Sequence, residues 1–236
     1  MALGPGAPRG ASRVSGSLEG RTVVVDPGHN GANYEHLAFI NHLVPAGRGS
    51  DKPCNTTGTA TAGGYSEAAF NYSVAVDLRS ILTALGARVV MTRHSNAGVG
   101  PCVNRRAAIG NAAHADAVIA IHADGGPSGG RGFQVIYPPD TGDTAPIYAA
   151  SLRLAQSTHA SLLASHVLPP STYVGTDGYS ERDDLAGLNL STRPAIFVEL
   201  GNMNNSTDAG LQTQAPFRER LARALALGVV RFLVRR

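Results

Sequence analysis

The sequence predicts one α/β domain, with a mostly parallel central sheet of about six strands and helices on both faces. Three observations carry this. Apolar segments of strand length alternate along the chain with segments of helical periodicity. The strand-like segments are continuous apolar runs, as expected of strands buried on both faces. Finally, 236 residues with 43% hydrophobic content suffice for one sizeable core, and no internal repeat points to an array.

The elements follow in order. Residues 1–20 are rich in Gly, Ala, Ser and Pro and read as a flexible leader without the apolar core of a signal peptide. Residues 21–26 are a strand, stopped by Pro27-Gly28. Residues 30–64 read as irregular, because Gly, Thr and Ser dominate "GRGSDKPCNTTGTATAGG". Residues 66–85 form a helix: Phe70, Val74, Leu78, Ile81, Leu82 and Leu85 share one face, and Gly86 ends it. Strands are expected at 87–93, 116–124, 132–138 and 195–202, and helices at 103–114, 145–167 and 216–235.

Composition narrows the function. A net charge of +3 without a dense basic run argues against a nucleic-acid binder. No apolar run is long enough to cross a membrane. Tryptophan is absent, so no Trp-built sugar platform is expected. Lys52 is the only lysine. The two cysteines, Cys54 and Cys102, show no metal or redox spacing and are expected to pair, which suits an extracytoplasmic home.

Three apolar strands, "VVVDPGH", "VIAIHAD" and "IFVEL", deliver His29, His122 and Glu199 near their carboxyl ends. In open parallel sheets, ligands bind outside that edge. Glu67 opens the helix that follows the first strand and so starts at the same edge. Each residue has an ordinary explanation alone; an acid at a helix N-terminus, for instance, is favoured by the macrodipole. Together they form a ligand set of catalytic zinc, two histidines and a glutamate, with a second acid left as general base. Spacing alone leaves open which glutamate plays which part. Asp26, three residues before His29, is a candidate to orient a ligand histidine or a simple turn cap.

These motifs, in this order, resemble the zinc-dependent N-acetylmuramoyl-L-alanine amidases of the Amidase_3 family, especially the stand-alone mycobacterial type. The likeness runs from about Arg21 to Arg236 and also covers "SEAAFNYSVA", "VVMTR", "RAAIGN" and "RPAIFVELGNMNN". It implies that residues 21–236 are a catalytic zinc amidase domain. His29, Glu67 and His122 would then hold Zn2+, and Glu199 would be the base. It further implies a peptidoglycan or muropeptide substrate, cleavage between the lactyl group and L-alanine, and work outside the cytoplasm, in the periplasm or cell wall. Any export signal is then expected outside this sequence. Nothing in the sequence calls for an oligomer, so a monomer is expected. By analogy with substrate loops in relatives, Arg182 and Asn189 are candidates for binding the peptide.

The chain departs from the family pattern at three places. A long insert follows His29, Asp124 replaces the usual Asn, and Asn202 replaces a usual Phe. Two further readings compete: a zinc peptidase or deacetylase acting on wall fragments, and a non-catalytic peptidoglycan-binding protein on the same scaffold. The latter normally loses a ligand or the base, whereas all four positions are filled here.

Overall fold

The computed structural model describes residues 17–234. A six-stranded sheet forms the centre. Its strands are β1 (Thr22–Pro27), β4 (Arg88–Met91), β5 (Ala117–Asp124), β6 (Phe133–Tyr137), β7 (Tyr179–Glu181) and β8 (Ala195–Asn202), in the order β4-β1-β5-β8-β6-β7. The missing numbers are β2 (Leu43–Gly47) and β3 (Ser50–Pro53), a separate antiparallel hairpin. Pairing in the sheet is parallel except between β6 and β8. The expected fold class therefore holds.

The continuous apolar runs are explained by burial on both faces. Val23 and Val25 point into the larger core, whereas Val24 points into a smaller one on the other side. The larger core takes in α2 (Glu67–Ala84), α4 (Ala145–Ser165) and the closing helix α7 (Ala215–Val234). The other face is covered by α3 (Val103–Ala112) and the short α5 (Ala186–Asn189), with Leu188 buried there. Helix α2 starts where Ser66 accepts a hydrogen bond from the Ala69 amide, a cap that contributes about 1 kcal/mol. It stops at Gly86, whose φ of +92° lies in the left-handed region.

Two expectations need correction. Residues 30–64 are not irregular throughout: they contain a short helix, α1 (Leu37–Ile40), and the β2–β3 hairpin. The hairpin turns at Gly47-Arg48-Gly49, where all three residues have positive φ. The strands were hidden because β3, Ser-Asp-Lys-Pro, has no apolar residue that packs. The sixth strand of the sheet, β7, also had no apolar run to announce it; it is a three-residue edge strand.

The leader spans the boundary of the description. Residues 1–16 lie outside the described residues, and Leu18 is fully buried, with its amide bonded to the Leu85 carbonyl. The packed chain thus already includes Leu18. Cys54 and Cys102 form a disulfide that ties the end of β3 to the start of α3.

Candidate metal and catalytic site

The carboxyl ends of β1, β5 and β8 lie side by side, and the start of α2 meets them there. His29 lies two residues beyond β1 with φ 57°, a conformation that costs a residue with a Cβ about 1 kcal/mol or more. Its Nδ1 hydrogen-bonds the Thr56 carbonyl at 3.1 Å, which leaves Nε2 as the free nitrogen. That nitrogen is 3.0 Å from Glu67 Oε2. His122 Nδ1 is 2.9 Å from Glu67 Oε1. His29, Glu67 and His122 each offer a donor atom, and these atoms all lie within 4.8 Å of one another.

The cluster is held from every side. Glu67 is buried and accepts hydrogen bonds from the Thr59 amide, the Ala123 amide and Asn71 Nδ2. Asn71 sits one helical turn after Glu67 and also reaches the Gly28 carbonyl. The His122 ring stacks on Phe197 with centroids 5.3 Å apart. Gly28 has no Cβ for a reason of space: one would stand 2.2 Å from the His122 ring.

Burial opposes ionisation of Glu67, but His29 and His122 overcome it and hold the carboxyl well below its ordinary value. Burial also opposes a charge on His29, and Glu67 outweighs it, so the His29 pKa is raised. Glu199 behaves in the opposite way. Burial comes first, then repulsion from Glu67 and Asp124, and together they hold its carboxyl well above the ordinary value against the pull of Arg182. Its Oε2 is buried without a hydrogen-bond partner. A buried carboxyl oxygen left open beside a His-Glu-His cluster calls for an explanation other than fold stability.

The family model for N-acetylmuramoyl-L-alanine amidases matches residues 23–231. The chain belongs to that family. An N-acetylmuramoyl-L-alanine amidase of Mycobacterium tuberculosis is 44% identical over 94% of this chain and 90% of its own length. The crystal structure of the amidase Ami1 from Mycobacterium abscessus aligns with a TM-score of 0.86 at 46% identity, covering 92% of this chain and all of that one. Ami1 from Mycobacterium smegmatis aligns with the same score at 42% identity over 92% and 98%.

In this amidase-family chain the structure brings His29, Glu67, His122 and Glu199 to one place. Asp26 is close but does not do what was expected of it. It hydrogen-bonds neither imidazole; its Oδ1 accepts from Arg106 Nη1 and Thr92 Oγ1. Arg106 is the actual link, because its Nη2 donates to the His29 carbonyl at 2.8 Å. Asn189 is likewise committed to structure. It is buried, donates to the Ala46 and Asp183 carbonyls and accepts from Arg48, so it fastens the hairpin to α5. Arg182 grips Asp184 with two hydrogen bonds.

The sequence reading missed Thr56, Lys52 and Asp184. Lys52, Asp184, His29, His122 and Phe197 all line one cavity of about 220 Å³. The signal for Lys52 was its solitude among the basic residues. Thr56 meets His29 Nδ1 with its backbone carbonyl at 3.1 Å and its hydroxyl at 3.3 Å, and a lone threonine in a Thr-rich loop carries no sequence signal of that contact.

Proposed function

We propose that this chain is a zinc-dependent N-acetylmuramoyl-L-alanine amidase that cleaves peptidoglycan or its fragments between the lactyl group of N-acetylmuramic acid and L-alanine. We further propose that it works as a monomer outside the cytoplasm, where the Cys54–Cys102 bridge is stable. The single observation that carries the reading is the buried, unpartnered Oε2 of Glu199 next to the His29-Glu67-His122 donors.

Two imidazoles and one carboxylate suit zinc better than harder cations, which prefer all-oxygen sites. His29, Glu67 and His122 would hold the ion. When bound, zinc supplies Lewis acidity to the amide carbonyl and lowers the pKa of water. The chain's own groups account for the proton traffic. Glu199 takes the proton of the attacking water and returns it to the departing L-alanine nitrogen, since an amide leaves well only as a protonated amine. Thr56 and Arg106 keep His29 in place from its ring and its backbone.

The direct test is mass spectrometry of products from muramyl dipeptide with and without a chelator. Release of free L-alanyl-D-isoglutamine that stops on chelation is the expected result. A different fragment would favour the peptidase or deacetylase reading. Binding to peptidoglycan without any cleavage, in zinc-loaded protein, would favour the non-catalytic one.

A further inference from the structure

Apart from the histidines, two cationic side chains line the cleft, and they differ in what they have left to give. Arg106 is fully engaged. Its Nε donates to the Pro101 carbonyl, Nη1 to Asp26 and the Pro27 carbonyl, and Nη2 to the His29 carbonyl and Asn30. A guanidinium has five N–H groups, so none remains for a ligand. Lys52, on β3, makes one hydrogen bond, to Asp184 Oδ2 at 3.2 Å. Two of its three ammonium hydrogens remain.

Asp184 does not cancel the charge of Lys52. Arg182 already holds both of its oxygens, with Nε to Oδ1 at 2.8 Å and Nη2 to Oδ2 at 2.7 Å. The trio Lys52, Asp184 and Arg182 therefore carries one net positive charge, and Lys52 and Asp184 both line the cavity that also holds His29 and His122. The planar fork of Arg182 is locked on its partner, whereas an ammonium on a flexible stem exchanges partners at little cost. The side chain of Lys52 is 40% exposed, so it is accessible from the cleft mouth.

We propose that Lys52 is the carboxylate receptor of the cleft. It takes the free α-carboxylate of the second stem residue, D-glutamate, and so selects stems carrying that acid over stems in which it is amidated. This rests on the amidase reading above. Lys52 lines the same cavity as His29 and His122, and a dipeptide spans roughly 7 Å when extended. In the free protein Asp184 holds the ammonium in position, and the substrate carboxylate joins it there.

The test compares two muramyl tripeptides that differ only in bearing an α-carboxylate or an α-carboxamide on the second residue. For the zinc-loaded protein, kcat/KM is expected to favour the acid by about tenfold, mainly through KM, as one charge-assisted hydrogen bond would give. Lys52→Met should bring the ratio to near one, and Lys52→Arg should restore part of it. Equal kcat/KM for both substrates in the unaltered protein would overturn the proposal. So would a Lys52→Met variant that loses the same factor on both, because Lys52 would then only be tying the hairpin to the loop. If neither tripeptide is hydrolysed, the amidase reading fails, and Lys52 is judged by calorimetry. The two released-peptide forms would be titrated into Glu199→Gln protein with and without Lys52→Met. Tighter binding of the acid peptide that vanishes with Lys52→Met would support the receptor; equal binding would refute it.

Discussion

His122 and Glu199 are register partners on adjacent parallel strands, β5 and β8. A prospective metal ligand and a prospective base are thus fixed relative to each other by backbone hydrogen bonds. The arrangement also separates their roles: His122 meets Glu67, while Glu199 keeps an open oxygen.

Glu199→Gln should therefore keep zinc and lose catalysis. We expect hydrolysis to fall by at least about 10²- to 10⁴-fold, the range for removing a general acid–base group. Product release and metal content, measured on the same sample, check this. Near-normal turnover would remove Glu199 from the role.

His29→Ala should lose zinc, because one of the three clustered donors disappears. Elemental analysis of the purified variant measures this directly. A full zinc complement would mean that His29 is not a ligand.

Arg106→Met tests the buried scaffold behind His29. It leaves the Asp26 carboxylate buried without its cation, at a cost of roughly 3–5 kcal/mol. Urea denaturation should show that loss, and combining the change with Asp26→Asn should recover part of it. Additive losses in the double variant would show that the pair is not coupled.

Replacing both Cys54 and Cys102 with serine should lower stability by about 2–4 kcal/mol, since the bridge joins positions 48 apart in sequence. Thermal denaturation of oxidised protein with and without the bridge is the measurement. An unchanged melting temperature would contradict a structural role.

The rim trio gives a pH dependence of known sign. The forked hydrogen bonds from Arg182 hold the Asp184 carboxyl well below the usual carboxylate range; partial burial opposes this and Lys52 adds to it. A depressed folded-state pKa stabilises the fold above the unfolded value, about 3.9, and that stability is lost as pH falls below it. Asp184→Asn should accordingly melt below the unaltered protein near pH 6, with the gap closing below about pH 4. A gap that is constant with pH would assign the effect to packing instead.

Much of this was legible in the sequence because strands buried on both faces must be written as unbroken apolar runs. "VVV", "VIAI" and "AIFV" could hardly be anything else, and the polar residues at their ends marked one edge of the sheet. What stayed hidden had no such obligation. The hairpin strand Ser50–Pro53 and the edge strand Tyr179–Glu181 bury little, so their sequences carry no period. Asp26 and Asn189 were misjudged for a related reason. A polar residue near a site looks the same in sequence whether it faces substrate or satisfies a neighbour's buried hydrogen bond. Only the packing of Arg106 and of the hairpin distinguishes these cases.

The left-handed backbone at His29 has a consequence for the history of such chains. Glycine would take that turn without strain, so the turn by itself gives selection no reason to keep a side chain there. A descendant freed from metal chemistry should drift first at this position, gaining stability as it does so. A His at this turn is therefore a more telling sign of a working site in a related sequence than the strand beneath it, which any copy of the fold must retain.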